Sequence, residues 1–383
     1  MDIVFHDGPE YETLKPLTWT RPVADLRIGS LTISQKWLKI LKAKNFSFST
    51  ANHLKIKFPE RKGDLHLRGG LLPCHELIQA INSLKDGEIL VSGEDWLAHR
   101  NGEKRIAYSG VYHLVKRPEN IFSWNKEQLE FDFDLLTAGR KSEPIHTSNQ
   151  VFGERIFLER GVDIKASTLN SAEGSIYLAE GSKIMPGSMI HGGLSLGKSS
   201  TLKLGTKIYG ATTIGPHSKV GGEINNSVVW GFSNKAHDGF MGNAVLGQWC
   251  NIGAGSSNSN LKNNYDEIKL FSYLSRSFNP TGLQFCGLIM ADHSKCAINT
   301  SFNSGTVVGV SCNIFGSGFP RNFLPDFSWG GPQRLKEYSL EKAHLTAKKV
   351  MSRRNMEYNQ TESDILSAIF SHTSEFRGGT GLA

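Results

Sequence analysis

Stepping through the chain in sixes from Ile184 meets Ile190, Leu196, Leu202, Ile208, Ile214 and Val220, an apolar residue at every stop. A helix repeats every 3.6 residues and a half-buried strand every two, so neither accounts for a period of six. A parallel β-helix does. Each hexad is a short strand plus a turn, and its apolar residue points inward to fill a prism. The step runs earlier through Phe152, Leu158, Ile164, Asn170 and Ile176, and later through Val228, Asn234, Phe240, Leu246 and Ile252. A last run takes in Met290, Cys296, Phe302, Val308 and Ile314. Eight-residue steps, 176 to 184 and 220 to 228, join the registers and read as two-residue turn insertions. Glycine often follows a hit, as at Leu196-Gly197 and Ile252-Gly253, where a corner favours unusual φ or close backbone approach. Coils stacked in this way bury one continuous core.

The pattern divides the chain into three expected parts: an α/β domain over 1–148, a β-helix over 149–318, and a helical tail over 319–383. In the first, DIVFH and EILVSG have the look of buried strands, while LTISQKWLKILKA and CHELIQAINSL have helical apolar spacing. The polar stretch Gly139 to Gln150 reads as the linker. Within the second part, residues 258–285 break the period and are rich in Asn and Ser, so they read as a loop thrown out from the prism. In the tail, one helix is expected to carry Leu340, Ala343, Ala347 and Val350, and another to start near Thr361 with Ile365, Leu366 and Ile369 on one face.

The formal charge of +7 on 383 residues suits anionic small molecules such as nucleotides, coenzyme A or sugar phosphates. No basic run interleaved with aromatics argues for nucleic acid. The five cysteines form no CxxC pair and read as isolated thiols of a reducing compartment. The N-terminus MDIVFHDGPE is unlike a signal peptide, and no apolar run approaches a membrane span of about 20 residues, so the expected location is the cytoplasm, off the membrane.

At SNKAHDGFMGN, NIGAG and NNYDEIK the sequence resembles the acetyltransferase half of the bifunctional bacterial enzymes that make UDP-N-acetylglucosamine. Across nearly the whole chain, LKPLTWTRPVADLRIGSLTISQKW, YGATTIGPHSKVGGEINNSV and GFPRNFLPDFSWGG are similar to a group of bacterial sugar nucleotidyltransferases related to those enzymes. The resemblance implies a left-handed β-helix of hexapeptide repeats, a homotrimer with sites between subunits, and acetyl-CoA as co-substrate. It puts His237 on the family's general base and Asn251 and Ala254 near substrate and acetyl-CoA. Asn264, Tyr265 and Lys269 fall on sugar-phosphate or coenzyme contacts. The family's tyrosine three residues after the histidine is Phe240 here, and Lys219 and Lys235 are the candidates for gripping a sugar phosphate.

The residues suit that chemistry. Amide formation needs a neutral amine, and a positioned imidazole takes its proton near neutral pH. Backbone N–H groups at the glycine-rich NIGAG corner suit a tetrahedral oxyanion. His293, after Asp292 in MADHSKC, is the alternative base, whereas His191 and His217 read as ordinary surface histidines. With eighteen residues to a coil, Gly255 falls one coil above His237, about 4.8 Å away, and its missing side chain leaves room for substrate. Asn251 then lies about 13 Å along the strand, so a long coenzyme spans the two or a neighbouring subunit completes each.

For the N-terminal domain the resemblance implies nucleotidyl transfer, with a nucleoside triphosphate, a sugar phosphate and Mg2+ as partners. The glycine-rich phosphate loop of such enzymes is absent: HDGPEYETLKPLTWTRP has a single glycine. Lys15, Arg21, Arg27 and Lys36 form a basic stretch able to neutralise phosphates. Asp95, at the end of the ILVSGED strand, is the candidate magnesium ligand. Three functions follow: an amino-sugar phosphate N-acetyltransferase fused to a nucleotidyltransferase-like domain, a nucleotidyltransferase whose β-helix only assembles or regulates it, or a non-catalytic sugar-nucleotide-binding protein.

Overall fold

The computed structural model describes residues 1–377, so the last six residues of the expected tail lie outside the described residues. By contacts the chain divides into two compact units. One comprises 1–27 and 31–120, and the other 28–30 and everything from Ile121.

The first unit is built on a six-stranded sheet. Its strands are β1 (Asp2–His6), β2 (Asn45–Ser49), β3 (Leu65–Arg68), β4 (Glu88–Ser92), β5 (Asp95–His99) and β6 (Lys104–Ala107), in the order β2-β1-β3-β5-β4-β6. β1 runs parallel to both β2 and β3, while β5 is antiparallel to β3 and β4. The helix over Ile33–Ile40 starts in a capping box in which Thr32 accepts from Gln35 N and the Gln35 side chain accepts from Thr32 N. Its Trp37 is fully buried and donates from Nε1 to the Leu71 carbonyl. This is the expected α/β domain.

The second unit is a parallel β-helix with C-terminal helices. Three columns of strands run up the prism. Leu158, Leu178, Leu196, Ile214, Val229, Leu246, Met290, Val308 and Leu324 fill one side. Leu169, Ile190, Ile208, Ile224 and Met241 fill the second. The third holds Ile164, Ile184, Leu202, Val220, Lys235, Cys296 and Ile314. The hexads from Ile184 to Val220 thus face inward as expected, and the flanking registers need correcting. Phe152 is more than half exposed, and Leu169 rather than Asn170 is core. Beyond Val220 the inward residues are Val229, Lys235 and Met241, each one position past the expected Val228, Asn234 and Phe240. The cause is shortened corners: Val220 pairs with Lys235, where a full eighteen-residue coil demands Asp238.

Corners carry residues of positive φ at coil spacing. One column includes Gly187, Gly205, Gly222, Gly239 and Gly255. At Gly239 (φ +119°) a Cβ would collide with the Ser256 carbonyl oxygen of the next coil, a backbone atom with nowhere to go. Gly239→Ala is therefore expected to destabilise the β-helix by about 1–3 kcal/mol, read as a fall in thermal midpoint, and an unchanged midpoint refutes the fit.

Asn258 stays on the prism, paired with Phe302, and the excursion follows it. Lys269–Ser272 and Ser277–Pro280 form an antiparallel hairpin. Its Phe271 stacks on Phe323 at 3.6 Å, and the buried Tyr273 hydroxyl donates to Asp326. The coil resumes where Ile289–Met290 pairs with Val245–Leu246. The helix α1 (Asn125–Thr137) belongs to this unit rather than to the α/β domain. Its buried Asn125 donates to the Ala211 carbonyl and accepts from Thr213. Two longer helices follow the β-helix: α2 (Leu340–Ser352), burying Ala343, Ala347 and Met351, and α3 (Gln360–His372), capped by Asn359 and burying Ile365, Leu366 and Ile369. No described helix is long and apolar enough to cross a membrane.

Candidate functional site

A cavity of about 750 Å³ lies between one outer face of the β-helix and the C-terminal end of α2. Its floor is a ladder of outward side chains on successive coils: Lys219 pairs with Asn234, Asn234 with Asn251, and Asn251 with Lys295. At one corner stand Phe232 and Trp249, at the other His237 and Ala254, and Arg353 and Arg354 reach in from α2. Arg354 donates to Asn234 Oδ1 at 3.0 Å, tying the roof to the floor.

The aromatic corner is a stack four rings high. His217 lies 5.0 Å from Phe232, Phe232 4.3 Å from Trp249, and Trp249 6.4 Å from His293, all within 17° of parallel. Each of the four has φ between 54° and 62°, the left-handed conformation usually left to Gly or Asn. Stacking and burial of the rings offset that strain. Sequence reasoning missed this column. Its signal was an aromatic or histidine in phase with the coil, at Pro216-His217, Gly231-Phe232, Gln248-Trp249 and Asp292-His293.

The lining holds four cationic side chains, Lys219, Lys295, Arg353 and Arg354, and no carboxylate. Burial lowers Lys295 to about 8, and its Nζ donates to the His293 carbonyl at 2.6 Å. Burial also holds His217 below its usual range, helped by Arg354 and Lys198. An anion entering here meets several donors and no competing acid. Its affinity is expected to fall as pH rises through about 8, where Lys295 loses its proton. A flat titration of affinity from pH 7 to 9 would remove Lys295 from the anion contacts.

The structure brings His237, Asn251 and Ala254 into this one cavity. His237 is exposed, and no hydrogen bond or ion pair engages its ring among the described residues. His293 is instead buried against Trp249, outside the lining. The residue one coil on from His237 is Ala254, because Ile252 N donates to Asn234 and Gly255 N to Asp238. The space beside Gly255 is taken by Asn299 Oδ1, so it offers substrate no room. Lys219 lines the floor, but Lys235 is 2% exposed, inside the prism, where it donates to the Gly221 and His237 carbonyls.

Asn264, Tyr265 and Lys269 lie outside the cavity lining, on the excursion from the prism. Asn264 bonds Asp266, Tyr265 is 64% exposed, and Lys269 opens the hairpin. His191 is exposed and pairs with Glu173.

In the first unit the expected basic stretch is not an open patch. Lys36 is fully buried, Lys15 pairs with Glu12, Arg21 is buried 3.6 Å from Asp25, and Arg27 is half-buried. Asp95 begins β5 across a two-residue turn from Ser92 instead of ending a strand. Burial alone would raise its pKa, but Lys116 at 2.7 Å and the Tyr112 hydroxyl outweigh that and hold it low. A carboxylate already neutralised by an ammonium is a poor ligand for Mg2+.

The second unit thus carries an imidazole and a cationic cavity on the outer face of a β-helix. Residues 3–141 match the family model described as sugar nucleotidyl transferase. No curated protein matches. Among solved structures the chain is similar to the polySia-specific acetyltransferase NeuO, at 14% identity and TM-score 0.29, covering 50% of this chain and 87% of that one. It is also similar to the Arabidopsis UDP-N-acetylglucosamine acyltransferase, at 16% identity and TM-score 0.20, covering 61% and 91%. A third is a histidine-to-alanine mutant of GDP-perosamine N-acetyl transferase from Caulobacter crescentus in complex with CoA and GDP-perosamine, at 9% identity and TM-score 0.16, covering 88% and 96%.

Proposed function

We propose that the chain acts in nucleotide-sugar metabolism as an acetyl-CoA-dependent N-acetyltransferase on an amino-sugar phosphate, with His237 as general base. The observation that carries this is the cavity itself: an unengaged imidazole beside four cations, in about 750 Å³, with no carboxylate in the lining. The substrate amine attacks the thioester carbonyl, His237 takes the amine's proton, and the C–S bond breaks as that proton passes to the leaving thiolate. Asn251 orients the substrate from the floor, and the backbone N–H group of Ala254 is the candidate oxyanion donor. Arg353, Arg354, Lys219 and Lys295 hold phosphates. Replacing Arg353 and Arg354 together by Gln is expected to weaken coenzyme A or sugar-phosphate binding about tenfold or more. Unchanged affinity by calorimetry would put the anion elsewhere.

The assembly we propose is a homotrimer, in which Asn264, Tyr265 and Lys269 of one subunit complete the cavity of the next. A stable monomer in light scattering overturns it. For the α/β unit, the Asp95–Lys116 pair favours binding of a nucleotide sugar over magnesium-dependent nucleotidyl transfer, with the half-buried Arg27 left as a candidate phosphate group. The deciding experiment incubates purified protein with acetyl-CoA and a panel of hexosamine phosphates, with and without nucleoside triphosphate and Mg2+. Thiol release that depends on the amino sugar supports the acetyltransferase. Pyrophosphate release would restore catalysis to the first unit. Nucleotide-sugar binding with neither product would make the chain a binding protein.

A further inference from the structure

Three histidines meet on one face of the first unit's sheet, away from every group used above. His6 ends β1, His66 lies in β3 and His99 ends β5, three neighbouring strands. His66 and His99 stand directly opposite each other, and His66 is opposite Val4, two residues before His6, so the three side chains share a face. One ring nitrogen from each lies within 4.8 Å of the others. All three are half-buried.

The hydrogen bonds prepare two of them. His66 Nε2 is 3.1 Å from Asn101 Oδ1, an acceptor only, so Nε2 carries the proton and Nδ1 is left with its lone pair. That Nδ1 is 2.8 Å from His6 Nε2, which then donates to it. Asn101 thus does for His66 what an outer-shell partner does for a metal-bound imidazole: it fixes the tautomer and the ring's direction. The third ring, His99, has a buried Nδ1 with no hydrogen-bond partner, an orphan that native interiors rarely keep without a purpose.

We propose that His6, His66 and His99 bind one divalent transition-metal ion of the zinc class, leaving a fourth position to water or a ligand. Three imidazole nitrogens with an open position suit zinc and its neighbours and are a poor match for magnesium or calcium. Binding forms three dative N–metal bonds and releases no net proton, since the proton on His6 Nε2 moves to its Nδ1. The His6–His66 gap widens from a hydrogen bond to about 3.4 Å, the edge of a tetrahedron with bonds of about 2.1 Å. His99 lies parallel to His66, 7° apart at 4.3 Å, and turns about its side-chain bonds so that both ring planes meet at the ion. The ion ties β1, β3 and β5 together.

The test uses untagged full-length protein stripped with chelator and titrated with Zn2+ by calorimetry and with Co2+ by visible absorption. One ion per chain is expected, with the intense d–d bands of a four-coordinate Co2+ site and a higher thermal midpoint on Zn2+ addition. His66→Ala and His99→Gln are each expected to weaken binding 10-fold or more and abolish the midpoint shift. His99→Gln nearly keeps the side-chain volume, so it reports on ligation even if His66→Ala fails to fold. No ion bound by the wild type, or binding unchanged in folded His99→Gln, overturns the proposal.

Discussion

Replacing His237 by alanine is expected to lower acetyl transfer about 100-fold or more while leaving acetyl-CoA affinity nearly unchanged. The ring lines the cavity beside Ala254, and among the described residues no hydrogen bond or ion pair holds it. Its loss should therefore remove little folding energy, and little binding energy with it. What it removes is the acceptor for the amine's proton, and general-base catalysis is typically worth 10²–10⁴-fold. The rate should recover partly at high pH, where a larger fraction of free amine needs no base. His293→Ala provides the contrast. That ring closes the Trp249 end of the stack and is buried, so its loss should lower the thermal midpoint and change kcat less than His237→Ala does. If His237→Ala turns over normally and His293→Ala does not, the base is His293.

The β-helix was legible because one residue in six must face the prism, and from Ile184 to Val220 every coil is regular enough to keep that phase. The phase slips by one residue at Val228, Asn234 and Phe240, where corners shorten, and returns at Leu246, Ile252, Met290, Cys296, Phe302, Val308 and Ile314. Val228 and Val229 are both apolar and both buried, so either phase satisfies the pattern and nothing local flags the slip. The error had a cost at Lys235, which a regular hexad places next to an inward Asn234 when it is itself the inward residue. His237, Asn251 and Ala254 became candidates through the family resemblance, and they line one cavity. Arg353 and Arg354 were not found. They reach the floor from 120 residues beyond Asn234, through a helix whose docking no short-range pattern encodes. Asp95 was misplaced because a strand and a tight hairpin read alike until the partner strand is known.

Lys235 leads to the second large effect. A lysine whose side chain is buried among Val220, Ile252 and Cys296 positions loses its hydration, and burial lowers it to about 8, with Asp238 and Cys296 pulling weakly the other way. Folded and unfolded states therefore bind protons differently between about pH 8 and 10.5. Over that range the unfolded chain holds the proton more tightly, so folding stability rises with pH. Below pH 8 the lysine stays charged in the folded state at a cost of about 3 kcal/mol. Two acceptors partly offset that cost, the Gly221 and His237 carbonyls at 3.2 and 2.5 Å from Nζ. The second ties the ammonium to the backbone of the candidate base. Lys235→Met fills the same volume without charge. Its expected signature is the loss of Lys235's share of the rise in unfolding free energy between pH 8 and 10.5, up to about 3 kcal/mol, with Lys295 still contributing. Acetyl transfer should fall at the same time, in kcat more than in KM, because the corner that aims His237 loses its tie. A pH–stability curve identical to that of the wild type would show that Lys235 binds its proton as tightly in the folded protein as in the unfolded chain. A normal kcat would show that the His237 corner holds its shape unaided.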